Sequence, residues 1–138
     1  MKVVADTNVV VSALLWRGSL RLILDAASAG AINLFVRPLL LAELQDVLQR
    51  PAFARRLQEA AVQPVDLVLG YAALATLFLH TAIPPTIAAD PDDDHVLACA
   101  VAVQADVIVS GDRHLLALVD FRSIPIVNPA ELLSRLGS

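Results

Sequence analysis

The chain has 138 residues, the length of one typical domain. Hydrophobic residues make up 57% of it and charged residues 17%, which excludes an intrinsically disordered or collagen-like chain. The net charge of −4 disfavours a protein that binds nucleic acid through general positive charge. Because Cys99 is the single cysteine, no internal disulfide or cysteine-cluster zinc site can form, and we expect a cytoplasmic protein.

Apolar runs and helix patterns alternate along the chain, which predicts one α/β domain over residues 1–138 with a mainly parallel sheet of about five strands. Short apolar runs predict strands at 2–5, 32–36, 106–110 and 124–127, with one more within 80–89. Helices are predicted at 20–29, 38–50, 52–62, 64–79, 91–104, 113–119 and 129–136.

The longest nearly pure apolar run, 67–79, has 13 residues. A membrane span needs about 18–20 residues, so this run predicts a buried helix and no association with a membrane. The N-terminus does not have the pattern of a signal peptide, because Asp6 interrupts its apolar run. One small domain has a limited interior, so the excess of apolar residues predicts an interface, either in a homodimer or higher oligomer or with a bound partner.

Two predicted strands end in the same way. Asp6 directly follows the first strand, and Asp112 follows the strand at 106–110 after one glycine. Sites of parallel α/β sheets lie beyond the carboxyl ends of the strands, so the two carboxylates should meet at one edge. Taken singly, each aspartate is also typical of a helix cap or a turn.

A third acidic element lies at 90–94, where four of five residues are aspartates. Asp90 is predicted to cap a helix that begins at Pro91, and the helix dipole favours one or two of these acids. Adjacent carboxylates repel each other, so the dipole alone explains four of them poorly. A bound cation would relieve the repulsion.

Glu43 is the most informative single residue. On a helix it shares one face with Leu40, Leu44 and Val47, which places a carboxylate in an apolar stripe. A buried carboxylate must be protonated, paired or bound to a metal. A salt bridge to an arginine, or a position at the wet edge of the stripe, is the alternative.

Four separated acids could therefore converge on a hard cation: Asp6, Glu43, Asp93 and Asp112. Oxygen ligands without a histidine or cysteine cluster suit Mg²⁺ or Mn²⁺. The three histidines and Cys99 show no zinc-ligand spacing.

The residues around these acids resemble the PIN domain family over essentially the whole chain. The segments VVADTNVVVSALL, LLLAELQDVLQRPAF and DPDDDHVLACAVAVQADVIVSGDRHLL carry the resemblance. More narrowly, the chain is similar to PIN proteins that are toxin components of bacterial and archaeal type II toxin–antitoxin systems (VapC-like ribonucleases). The resemblance implies a three-layer α/β/α fold around a mainly parallel sheet.

The resemblance also implies the site residues. Asp6, Glu43, Asp93 and Asp112 match the family's four acids, which implies catalysis with one or two Mg²⁺ or Mn²⁺ ions. Asp94 is an auxiliary or alternative ligand to Asp93. Asn8 and Ser110 match supporting positions, Ser110 standing where relatives usually carry threonine.

The activity implied is metal-dependent hydrolysis of RNA phosphodiester bonds, with a small antitoxin protein as a partner. The alternatives are a housekeeping nuclease and a catalytically silent domain that binds metal or RNA. Because the whole chain is acidic, RNA must be attracted locally, and Arg113, Arg17 and Arg50 are the candidate phosphate contacts.

Overall fold

A computed structural model describes residues 1–16, 18, 20–79 and 91–137, and the side chains of residues 91–94 lie outside that description. Its centre is a six-stranded sheet in the order β3-β2-β1-β4-β6-β5. The strands are β1 (Lys2–Ala5), β2 (Asn33–Val36), β3 (Thr76–Leu77), β4 (Val107–Val109), β5 (Asp120–Phe121) and β6 (Ile124–Val127). Only β5 pairs antiparallel within this described sheet.

Helices connect the strands and cover the sheet, giving the three-layer α/β/α architecture. They are α1 (Thr7–Leu15), α2 (Arg21–Ser28), α3 (Pro38–Leu48), α4 (Pro51–Ala60), α5 (Pro64–Leu74), α6 (Pro91–Val103), α7 (Arg113–Leu116) and α8 (Pro129–Leu136). Proline at the first position fits a helix start, because its missing N–H would have no partner inside the helix.

The central strands β1 and β4 form the middle of the core. Val3, Val4 and Ile108 have no exposed surface, as expected for parallel strands covered on both faces. Asn128 caps α8 as predicted, since its Oδ1 accepts a hydrogen bond from the Glu131 amide at 2.8 Å. The α/β prediction and the four main strands are confirmed within one residue or so at their ends.

The predicted long buried helix at 64–79 is wrong in two respects. The helix ends at Leu74, Ala75 adopts an extended backbone, and Thr76–Leu77 form β3. Tyr71 is the only buried residue of α5, while Val65 and Leu69 are exposed. An apolar run alone cannot distinguish a helix from an edge strand. Here residues 76–77 form a strand because they pair with β2.

The described sheet has six strands instead of about five. Both extra strands, β3 and β5, have two residues, too few to give a periodic pattern. The strand predicted within 80–89 lies outside the described residues. Among the residues described, no helix is long and apolar enough to cross a membrane.

Candidate active site

The carboxyl ends of β1 and β4 lie side by side. Ala5 is in register with Val109, and the Asp6 amide continues the ladder by donating to the Val109 carbonyl at 2.9 Å. Asp6 and Ser110, the next residue of each strand, therefore leave the sheet at the same edge. The prediction that two strands deliver carboxylates to one edge depended on this pairing.

A hydrogen-bond relay joins the two aspartates at this edge. The Asp112 amide donates to Ser110 Oγ at 2.9 Å, and Ser110 Oγ donates to Asp6 Oδ2 at 2.8 Å. Ser110 is fully buried and Asp6 is 6% exposed. The serine thus holds the Asp6 carboxylate in one orientation and fixes the backbone that carries Asp112.

Asp112 also caps α7. Its Oδ1 accepts hydrogen bonds from the amides of His114 at 2.7 Å and Leu115 at 3.3 Å. Its Oδ2 accepts none from the described residues, so this oxygen can serve a ligand. The helix-cap interpretation of Asp112 is therefore correct and compatible with a role in the site.

Glu43 lies on α3, which begins just beyond the carboxyl end of β2. The apolar stripe predicted beside it is confirmed, since Leu40, Leu44 and Val47 are all buried. Glu43 itself is half-buried, and its Oε2 is shielded from solvent. α3 packs against α1 and α6, the helices that begin next to Asp6 and at Pro91.

The side chains of Asp93 and Asp94 lie outside the described residues, but the backbone of α6 shows where its first turn belongs. Lys2 Nζ, at the start of β1, donates to the carbonyl of Val103, the last residue of α6, at 3.1 Å. The helix packs along β1, β2 and β4. It is about 18 Å long, longer than the strands, so its first turn lies toward their carboxyl ends.

The chemistry of these groups fits a divalent cation with oxygen ligands. Asp6 and Asp112 are held together, and Asp112 Oδ2 has no donor among the described residues. Those residues contain no group of three or more histidine, cysteine, aspartate or glutamate side chains placed to hold a metal. The side chains of Asp93 and Asp94 lie outside those residues.

The predicted substrate-binding residues are separated. Asn8 and Arg113 line one groove together with Asp112. Arg50 is exposed and follows the far end of α3, about 16 Å along the helix from the strand edge. Arg17 lies outside the described residues.

Three residues near the site were missed by sequence reasoning. Thr7 is 5% exposed, and its Oγ1 has no hydrogen-bond partner among the described residues. Ser12 lines the same groove as Asn8. Arg37 directly follows β2 and is half-buried. Its position after a strand end is the signal that could have identified it, as it identified Asp6.

Comparison with known proteins adds one match. A family model described as the PIN domain matches residues 2–114, which include Asp6, Glu43, Asp93 and Asp112. No curated protein matches the chain. The matched span runs from β1 into α7 and so contains β1 and β4, the two strands whose carboxyl ends lead to Asp6 and Asp112.

Proposed function

Because this chain belongs to the PIN domain family, whose members are generally nucleases, we propose that it is a divalent-metal-dependent endoribonuclease of the cytoplasm. The observation that carries the proposal is the relay in which Ser110 joins Asp6 to the Asp112 backbone. A buried carboxylate held at a strand end, beside a second with an available oxygen, supports metal-assisted phosphodiester hydrolysis.

The proposed roles follow from the positions of the side chains. Asp6 and Asp112 would hold the principal Mg²⁺ or Mn²⁺, and Asp93, with Asp94 as auxiliary, would complete the ligand set or a second site. Glu43 would be a ligand or would orient the attacking water as a general base. A bound divalent ion supplies a water of lowered pKa and neutralises charge on the phosphate. Ser110 keeps the Asp6 carboxylate oriented toward that position.

The test is cleavage of mixed-sequence RNA and DNA oligonucleotides in Mn²⁺, Mg²⁺ or EDTA. Asp6→Asn and Asp93→Asn should abolish cleavage, because each replaces a charged ligand by a neutral amide. Asp120→Asn is the matched control, since it makes the same charge change on the exposed strand β5. All variants are purified identically to reveal a contaminating nuclease.

The outcomes separate the candidates. Metal-dependent RNA cleavage by the wild type and by Asp120→Asn, but not by Asp6→Asn, supports the proposal. Cleavage of DNA but not of RNA would identify DNA as the substrate. Equal cleavage by wild type and Asp6→Asn would contradict the site. RNA binding without cleavage by any form would favour the catalytically silent alternative.

We further propose that the nuclease is the toxin of a toxin–antitoxin pair. This proposal rests on the sequence resemblance quoted above. Inducible expression in a bacterial host should arrest growth with the wild type and not with Asp6→Asn. A small protein encoded next to this chain should restore growth when co-expressed. Normal growth of cells that accumulate active wild-type enzyme would favour a housekeeping nuclease.

Self-association is also proposed, through the outer face of α5. Val65 and Leu69, one helical turn apart, are 45% and 63% exposed. Leu77 on the edge strand β3 is exposed as well, and the chain is 57% hydrophobic. A second copy of the chain would cover these side chains. Light scattering after size-exclusion chromatography should show a dimer for the wild type and a monomer for Leu69→Glu, and a wild-type monomer would contradict the proposal.

A further inference from the structure

A groove opens beside Asp112, between the start of α1, the loop from β4 to α7, and the start of α8. Its volume is about 440 Å³, within the range of about 300–1,000 Å³ typical of small-molecule sites. The residues that line it include Asn8, Ser12, Leu20, Asp112, Arg113 and Pro129. We call it the α1–α7 groove.

The two walls of the α1–α7 groove differ in chemistry. Asn8 and Ser12 are four residues apart on α1 and therefore lie on one helix face, where they offer an amide and a hydroxyl. Leu20 and Pro129 supply apolar surface. A nucleotide has the same division, with polar base edges and hydroxyls around an apolar ring face.

The charge of the groove favours a phosphate at one end only. Arg113 is exposed, lines the groove, and follows Asp112 directly in the chain. Its guanidinium can donate to phosphate oxygens without a competing ion pair among the described residues. A ligand held by Arg113 would therefore have its phosphate next to the carboxylates of the proposed site.

We propose that the α1–α7 groove binds one nucleotide of a single-stranded RNA, directly beside the scissile phosphate. Arg113 binds the phosphate of that nucleotide, Asn8 and Ser12 contact its polar groups, and Leu20 and Pro129 pack against its base. The proposal rests on the proposed nuclease function for the identity of the ligand. It adds Ser12, Leu20 and Pro129 to the substrate-binding residues.

A second depression, of about 580 Å³, competes for this role and is less suitable. It lies between Trp16, Arg21, Arg56 and Glu59. Arg56 is already engaged there, because its Nε donates to the Leu15 carbonyl and its Nη1 lies 3.8 Å from Glu59. The α1–α7 groove has its arginine available and adjoins Asp112.

The test measures binding in an Asp6→Asn background, so that no cleavage is needed. Fluorescence anisotropy of a labelled mixed-sequence single-stranded RNA gives the dissociation constant over a series of salt concentrations. Ser12→Phe fills the groove and should weaken binding by about tenfold or more. Arg113→Gln should reduce the slope of log K against log salt by about 0.7, the value for one phosphate contact on a single strand.

The matched control is Arg122→Gln. Arg122 is an exposed arginine in the turn between β5 and β6, next to the amino end of β6, and it lies over the Phe121 ring. The Arg122→Gln substitution removes the same charge far from the groove. Both the RNA affinity and the salt slope should therefore stay at the values of the Asp6→Asn parent. An equal fall in slope for both variants would show a general charge effect and would overturn the proposal.

Two further outcomes keep the groove separate from the nuclease proposal. If wild type cleaves RNA, Arg113→Gln should raise KM and leave kcat nearly unchanged, because the lost contact is made in ground state and transition state alike. Unchanged binding and unchanged KM in both groove variants would overturn the groove proposal while the nuclease stands. Binding that needs Ser12 and Arg113, with no cleavage by the wild type, would support the groove and contradict the enzyme. Arg113 is exposed, so its variant remains informative if Ser12→Phe fails to fold.

Discussion

At the scale of single residues, Ser110 joins the backbone after β4 to the Asp6 carboxylate of the proposed site. Its hydroxyl accepts from one backbone amide and donates to one buried carboxylate, so both of its hydrogen-bonding directions are used. Because the site is buried and has a low dielectric constant, the negative charge of the Asp6 carboxylate polarises both hydrogen bonds of the relay. This serine therefore contributes to the orientation of the Asp6 carboxylate.

Ser110→Ala should lower the free energy of unfolding by about 1–3 kcal/mol, because it leaves the Asp6 carboxylate and the Asp112 amide without this partner. Nuclease activity should fall with it. Urea denaturation and the cleavage assay measure the two effects. Ser110→Thr is the control, since it keeps the hydroxyl and should retain most of the activity. A Ser110→Ala variant as stable and as active as the wild type would contradict the role given to the relay.

Sequence reasoning predicted the positions of Asp6 and Asp112 in the fold better than their contacts. Asp6 and Asp112 could be placed at one edge, because a residue that follows a parallel strand must leave at its carboxyl end. The hydroxyl of Ser110 was identified only as a supporting group. Its two hydrogen bonds depend on the register of β1 against β4, which no local pattern contains. Thr7 was missed because the burial of its hydroxyl, which has no partner in the described part of the chain, is visible only in three dimensions.

At the scale of elements, α5 and α6 each bury one ionisable side chain, Tyr71 and Cys99. Burial raises the pKa of the Tyr71 hydroxyl above its ordinary value, and the nearby Cys99 adds to the effect. Burial also raises the pKa of the Cys99 thiol from 9.0 to about 11, against a smaller opposing effect of the Arg37 guanidinium. Both groups are therefore neutral in the native protein at neutral pH.

Stability should fall as the pH rises from about 9 to about 11. In this window the unfolded chain loses the thiol proton while the native protein keeps it. Ionisation therefore lowers the free energy of the unfolded state relative to the native state. The loss due to Cys99 is about 2 to 3 kcal/mol, and Tyr71 adds to it from its ordinary value of 10.0 upward. Urea denaturation at each pH measures the free energy of unfolding.

Cys99→Ala is the control for this pH dependence. It should be less stable than the wild type at neutral pH, because it removes buried volume, but its stability should fall less steeply between pH 9 and 11. The comparison is simple because the chain has one cysteine and one tyrosine. An equal slope in both proteins would contradict the prediction.

Elements with caps and long periodic patterns were predictable, and short edge elements were not. Prolines at the starts of α3, α5 and α8 marked those helices from the sequence. β3 and β5 exist because a neighbouring strand offers them an edge, which is a tertiary effect. The same effect ended α5 at Leu74.

At the scale of the whole molecule, an acidic protein is proposed to bind an anionic polymer. The net charge of −4 opposes this encounter, and salt screens that repulsion beyond a distance of about 8–10 Å. Local groups must therefore provide the affinity, and the carboxylates at the strand edge would be neutralised by bound cations. The fold and its metal are in that case coupled, because the cation removes repulsion that the native state otherwise retains.

This coupling predicts that divalent metal stabilises the entire chain. Mn²⁺ at about one hundred times its dissociation constant should add about 2.7 kcal/mol to the free energy of unfolding for each ion bound to the native state alone. Thermal melting in EDTA and in excess Mn²⁺ measures the difference. Asp6→Asn should lose the increase because it removes a charged ligand, whereas Asp120→Asn, with its substitution on the exposed strand β5, should keep it. Equal melting temperatures of the wild type in EDTA and in Mn²⁺ would mean that the strand edge holds no metal before substrate arrives. The acids at the edge would then have to be assigned to charge balance or to an ion that enters together with the RNA.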